Sequence, residues 1–165
     1  MSARISETGA DIQYGKLPIV YAPTSLVSQL FQNFISNGIK FQETGKIPII
    51  KITARYQNEE VLIAVQDNGI GIKEEDQEQI FHVFQRLHSQ DEYEGSGIGL
   101  HTCKRIADSI NTKIWLESKE GEGTTFFFTL PVYQAPVEAS GPSDMLVGER
   151  TRASLNERAR GYRIQ

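Results

Sequence analysis

The stretch Val61-Leu62-Ile63-Ala64-Val65-Gln66-Asp67-Asn68-Gly69-Ile70-Gly71-Ile72 changes character halfway along. Its first five residues form a continuous apolar run rich in β-branched side chains, the pattern of a buried strand. An Asp at the end of such a strand is held on a fixed backbone. Its carboxylate can accept a hydrogen bond from an exocyclic amine such as that of adenine, whereas guanine presents an acceptor there and is repelled. A second glycine-rich stretch, Gly95-Ser96-Gly97-Ile98-Gly99-Leu100, opens a helical pattern. Glycines in that position let backbone N–H groups approach phosphate oxygens at the positive end of the helix. Together the two stretches describe a nucleotide pocket; taken singly, D-N-G is ordinary turn chemistry.

The chain around them is that of one soluble globular domain: 165 residues, 39% hydrophobic and 23% charged. A net charge of -4 argues against a nucleic-acid footprint spread over the surface. Cys103 is the only cysteine, which excludes an internal disulfide and fits a reducing compartment. Its setting in Leu100-His101-Thr102-Cys103 reads as helix packing rather than as a nucleophile. There is no secretory signal pattern and no apolar run near the ~18 residues of a spanning helix. The expectation is a cytoplasmic location, with neither nucleic acid nor membrane contacted by this segment.

Hydrophobic periodicity organises the rest. Residues 10–14 read as an edge strand, 17–21 as another, and Thr24-Ser25 as an N-cap. Val27, Leu30, Phe31, Phe34, Ile35, Gly38 and Phe41 recur at helical spacing, predicting a helix over 26–41. Residues 47–56 and 60–66 read as a β-hairpin, 73–84 as an acidic helix, 85–97 as a polar loop and 98–110 as a third helix. A closing hairpin over 113–118 and 124–130 is stopped by Pro131. Beyond it, 135–143 is rich in Pro, Ala, Ser and Gly, and 149–163 carries five arginines that read as a solvated tail or a short basic helix. The division expected is a domain over 1–131 and a flexible linker and basic tail over 132–165.

Within the helix over 26–41, Asn33, Asn37 and Lys40 fall within roughly a 60° arc beside the apolar stripe. Asn is a poor mid-helix residue because its amide competes with the backbone, so two on one edge need a reason. Either both amides bond to neighbouring backbone or solvent, or they offer oxygens to a hard cation that bridges phosphates, with an ammonium nearby. Mg²⁺ has that chemistry.

The ordered motifs N-x-x-x-N-G-x-K-F, D-N-G-I-G-I, I-F-x-x-F-x-R, G-S-G-I-G-L and G-E-G-T-T-F resemble the catalytic ATP-binding domain of sensor histidine kinases, in the superfamily of gyrase, heat-shock protein 90 and MutL. The match runs over about 12–131, and Leu30-Phe31-Gln32-Asn33 and Phe84-Gln85-Arg86-Leu87-His88-Ser89 look most like phytochrome-type and related PAS-containing sensors. The resemblance implies an α/β (α+β) two-layer sandwich: a mixed, mostly antiparallel sheet with three helices on one face and ATP under a mobile lid. It implies that Asn37 ligates Mg²⁺ with Asn33 as polar companion, that Lys40 contacts phosphate, and that Asp67 fixes the adenine amine. Gly69, Gly71 and Ile72 then form the base turn, and Thr124 or Thr125 lies near the adenine. Phe81 and Phe84 would anchor the lid, unless they are simply core. Arg86 would approach the terminal phosphate, unless it makes an exposed ion pair. Ser96, Gly97, Ile98, Gly99 and Leu100 would line the triphosphate.

The partners so implied are a histidine-containing dimerisation domain, in cis or in trans, and a response regulator. The sequence departs from the pattern in three places. No acceptor histidine stands in a His-Glu or His-Asp helix: His82, His88 and His101 all fall inside the ATP-binding region. Asp108-Ser109-Ile110-Asn111-Thr112 replaces the usual His-Gly-Gly turn, and Pro23 stands where an acidic residue is common. Two other functions remain as alternatives: a serine kinase of the anti-sigma-factor type, which shares the ATP fold but generally lacks the motif from Ile80-Phe81 to Arg86, and an ATP-sensing module without transfer activity.

Overall fold

The computed structural model describes residues 2–81 and 98–132. In chain order these form α1 (Ser2–Thr8), β1 (Asp11–Tyr14), α2 (Thr24–Lys40), β2 (Ile49–Gln57), β3 (Glu60–Asp67), α3 (Glu74–Gln77), α4 (Gly99–Ser109), β4 (Ile114–Lys119) and β5 (Gly123–Pro131). The strands make one sheet in the order β1-β2-β3-β5-β4. β1 runs parallel to β2 and every other pair is antiparallel. This is the mixed, mostly antiparallel sheet of the expected sandwich.

Alternation along the strands decides which side is covered. Val61, Ile63 and Val65 of β3 and Phe126, Phe128 and Leu130 of β5 share one face and are buried with Val27, Leu30, Phe34 and Ile35 of α2. Phe34 stacks on Phe126 with ring centroids 4.7 Å apart, and Phe31 meets Phe128 edge-on at 5.4 Å. A wholly buried phenylalanine of this kind contributes about 3–5 kcal/mol relative to alanine. α4 adds Cys103, Ile106 and Ala107 to the same layer. On the opposite face Trp115 stacks on Phe127 at 5.3 Å.

Several local expectations are corrected. Residues 17–21 form no strand; Val20 alone bridges Val132, and Tyr21 N donates to Pro131 O at 3.0 Å. Pro18 has no N–H to give a ladder. Thr24 is not a cap but the first residue of α2, and its buried Oγ1 has no hydrogen-bond partner among the described residues. Pro23 holds the N-cap position at φ -62, with its carbonyl accepting from Leu26 N and Val27 N at 3.1 Å. Among the described residues the acidic helix is reduced to the single turn of α3, whose four residues are all polar or charged with none buried. Unanticipated α1 precedes the sheet, rests Ile5 on the core and ends at Gly9 with φ 64. Among the described residues the expected three helices are thus represented by two long ones and the turn of α3, with α1 in addition.

The corner that lacks His-Gly-Gly is closed by Asn111 and Thr112. Asn111 takes the left-handed position after α4 at φ 51, Thr112 N donates to Ala107 O at 2.9 Å, and Thr112 Oγ1 lies 2.9 Å from Thr129 Oγ1. Asparagine tolerates that backbone conformation, so glycine is not required.

Candidate functional site

β3 delivers Asp67 to the end of the central part of the sheet, on the face that carries α2. Its Oδ1 accepts two backbone hydrogen bonds, from Gly69 N at 2.9 Å and Thr124 N at 3.1 Å. Among the described residues, Oδ2 accepts none, so one carboxylate oxygen is fixed and the other is left for a donor. Burial raises the Asp67 pKa above the ordinary carboxylate value, against the opposing pull of those two N–H groups and of the Lys46 charge.

The turn after Asp67 is fitted by missing side chains. A Cβ on Gly69 would stand 2.3 Å from Phe41 O, and one on Gly71, where φ is +70, would stand 2.0 Å from Lys119 O. Gly123, at φ +98, would place its Cβ 2.2 Å from Asp67 O. Ile70 N donates to Phe41 O at 3.0 Å and Gly121 N to Ile70 O at 2.8 Å, so the turn is docked between the end of α2 and the β4–β5 hairpin. Asn68 faces outward and ties in the approach to β2: its Oδ1 accepts from Ile49 N and Gln42 Nε2, and its Nδ2 donates to Ile47 O.

α2 carries the amides past both glycine stretches. Gly38 lies directly against Asp67, where an added Cβ would be 2.9 Å from Asp67 Cβ and 2.4 Å from Ile50 Cδ1. Its neighbour Asn37 is therefore brought to the Asp67 end of the pocket. Among the described residues the Asn37 side chain makes no hydrogen bond. Asn33 Nδ2 donates to Gln29 O at 2.9 Å, which satisfies half of that amide locally. Its Oδ1 instead faces α4, 2.7 Å from where a Cβ on Gly99 would be. From Asn33 to Gly38 is about 7.5 Å along the helix axis. The arrangement puts a base-sized recognition point at one end and the start of α4 at the other.

The remaining candidates separate. Thr124 is 6% exposed and shares the Asp67 face, while Thr125 pairs with Gln66 and Glu117 on the other face of the sheet. Strand alternation thus leaves Thr124, not Thr125, beside the carboxylate. Lys40 Nζ sits over the Phe41 ring at 4.1 Å from its centroid. Ile98 is 44% exposed just before α4, whereas Leu100 packs on the core, so what Leu100 offers the pocket is backbone. Phe81 also packs on the core, and its carbonyl lies 3.3 Å from His101 Nδ1. Cys103 is buried, its thiol pKa pushed up to about 12, in keeping with packing. Phe84, Arg86, Ser96, Gly97, His82, His88, the expected lid over 85–97 and the tail from 133 onward lie outside the described residues.

Gln77 and Ser118 take part in this architecture without any motif marking them, and Gly38, Asn68 and Gly123 stand inside motifs but were given no role of their own. Gly38 carried one signal: a glycine inside a helix is unfavourable by about 1 kcal/mol relative to alanine, which points to a close approach.

Comparison with known proteins agrees with this geometry. The profile of the histidine kinase-, DNA gyrase B-, and HSP90-like ATPases matches residues 22–134, and the chain belongs to that family. Within it, the chain is a catalytic domain of the sensor histidine kinase group. It is 49% identical over 132 residues to the phytochrome-like protein Cph1 of Synechocystis sp., a match covering 80% of this chain and 18% of that protein. With the adaptive-response sensory kinase SasA of Prochlorococcus marinus it shares 39% identity over 134 residues, covering 80% of this chain and 35% of SasA. Among solved structures, the nucleotide-free catalytic domain of histidine kinase ThkA matches with a TM-score of 0.63 at 30% identity, covering 79% of this chain and 84% of that one. Full-length ShkA in complex with AMPPNP matches with a TM-score of 0.68 at 27% identity, covering 84% of this chain and 29% of that one. The chain spans a minor part of the sensory proteins and most of the isolated catalytic domain.

Proposed function

We infer that this chain binds ATP with Mg²⁺ and transfers the γ-phosphoryl group to a histidine on a dimerisation domain, in cis or in trans, from which a response regulator then receives it. The observation that carries this reading is Asp67: one oxygen held by two backbone N–H groups, the other free of hydrogen bonds among the described residues, on the face that α2 covers. Such a carboxylate accepts from the adenine amine and discriminates against guanine. Gly69, Gly71, Ile72 and Thr124 form the surrounding wall.

The amide oxygens of Asn37 and Asn33 fit a hard cation, because neither is committed to a hydrogen bond among the described residues. When bound, Mg²⁺ would neutralise phosphate charge. Lys40 and Arg86 add cationic contacts to the phosphates, and the backbone of 96–100 cradles them at the start of α4. Phosphoryl transfer asks the protein chiefly for this positioning and charge neutralisation. The bond from the γ-phosphorus to the bridging oxygen breaks, a bond to an imidazole nitrogen forms, ADP leaves and the imidazole N–H proton is released. The reading places the domain in the cytoplasm, where ATP is supplied.

A trans assay tests it. The chain is mixed with dimerisation domains of phytochrome-type kinases and ATP labelled at the γ-phosphate. Acid-labile, alkali-stable label on the partner is expected. Acid-stable label would indicate a serine kinase, and ATP binding without transfer to any partner would leave only a nucleotide-sensing module.

A further inference from the structure

The Ser118 hydroxyl joins three elements. Ile72 N donates to its Oγ at 2.8 Å, Oγ donates to Gly123 O at 2.9 Å, and Thr124 Oγ1 lies 2.8 Å away. A hydroxyl has one proton and two lone pairs. With the proton on Gly123 O, Thr124 must be the donor in the third bond, and the capacity of Ser118 Oγ is full. Gln77 of α3 completes the knot, its Nε2 donating to Ile72 O at 3.1 Å and to Ser118 O at 2.9 Å. Residue 72 is therefore gripped at both its N–H and its carbonyl, and residues 123 and 124 at a carbonyl and a hydroxyl. The backbone N–H of that same Thr124 is one of the two donors that hold Asp67 Oδ1.

We propose that Ser118 and Gln77 are positioning residues for base recognition: they clamp the 69–72 turn to the 118–124 hairpin and thereby set the Asp67 carboxylate. This rests on the reading of Asp67 as the base contact. The knot lies at the rim rather than in the core. Ile72, Gln77 and Ser118 also line an open groove of about 930 Å³. Water can reach the groups a substitution would expose, so losing the Ser118 hydroxyl loosens the turn more than it weakens the fold.

The test uses the full chain with Ser118→Ala, Gln77→Leu and Ser118→Thr. In the nucleotide-free protein, hydrogen exchange is followed by NMR at the Gly69 and Thr124 amides, both of which bond to Asp67 and neither to Ser118 or Gln77. Ser118→Ala speeds both by about fivefold or more, the equivalent of one hydrogen bond. Ile63, in the middle of the sheet, keeps its protection, and Ser118→Thr keeps wild-type exchange throughout. By calorimetry, Ser118→Ala and Gln77→Leu each lower ATP affinity by about fivefold and narrow the preference for ATP over GTP. Unchanged exchange at Gly69 and Thr124, or equal acceleration at Ile63, overturns the proposal. So does a wild-type chain that binds ATP with neither variant affected. A wild-type chain that binds neither nucleotide overturns the underlying reading of Asp67, and the proposal with it.

Discussion

At the Asp67 end of the pocket the atoms that crowd the glycines belong largely to backbone, whereas at the Gly99 end the crowding atom is the tip of a side chain. Gly69, Gly71 and Gly123 stand against the carbonyls of Phe41, Lys119 and Asp67, none of which moves without shifting a strand or a helix end. Gly99 stands against Asn33 Oδ1, which a rotation about the side chain can withdraw. One end is therefore a rigid template, suited to reading the pattern of donors and acceptors on a base. The other is adjustable, as the proposed binding of phosphates and a metal there would require.

The largest expected effect breaks the rigid end. Gly123→Ala forces a side chain into a left-handed backbone conformation and against the Asp67 carbonyl, and is expected to destabilise the domain by on the order of 3 kcal/mol in urea unfolding. Gly99→Ala, by contrast, is expected to leave stability within about 1 kcal/mol of wild type, because alanine favours the helix and Asn33 can rotate aside. Its effect should fall on ATP affinity instead. Equal stability losses in the two variants would erase the distinction between the ends.

Next in size is Asp67→Asn, expected to weaken ATP binding by about 1–3 kcal/mol and to lessen discrimination against GTP. Its pH behaviour sharpens the point. The carboxylate must be ionised to accept from the amine, and burial holds its pKa above the usual value. ATP affinity should therefore begin to fall at a higher pH than an ordinary carboxylate would impose, and in Asp67→Asn this component should be missing. The stability effect has the opposite sign. A raised folded-state pKa makes Asp67's contribution to stability fully present below its unfolded pKa and lost as pH rises through the folded value. The nucleotide-free Asp67→Asn protein should accordingly gain on wild type in thermal unfolding as pH rises through that range. No such gain would mean that the buried charge is better compensated than its two N–H donors suggest.

The smallest effect is assigned to the adjustable end. Asn37→Ala should lower nucleotide affinity in the presence of Mg²⁺ by about tenfold, and much less in its absence, since one ligand among several waters is lost. Titration with and without the metal separates the cases. The same loss under both conditions would make Asn37 a packing residue.

Much of the fold was legible because it repeats. The apolar stripe of α2, the run ending at Asp67 and the two hairpins each announce themselves by period, and tertiary packing moved their ends by only a few residues. The strand expected over 17–21 is absent, and of the helix expected over 73–84 the described residues form only 74–77, for opposite reasons. The first had strand-like composition but a proline within it, and the second had helix-forming residues but no apolar stripe to bury. The candidate site was legible where chemistry is carried by a residue type in a fixed local frame, as with Asp67, the glycines and the paired asparagines.

What the sequence determined by itself was the family and the identity of the polar groups, because five ordered motifs reflect local backbone requirements that can be read without knowing what packs against them. Only the tertiary structure decided how those groups divide. Strand alternation put Thr124 beside Asp67 and Thr125 on the other face. The close approach of α2 placed Gly38 against the carboxylate, and a serine with no motif of its own joined the base turn to the hairpin. Each of these depends on contacts between segments distant in the chain, such as Ile72 with Ser118 and Asp67 with Thr124, which no local pattern encodes.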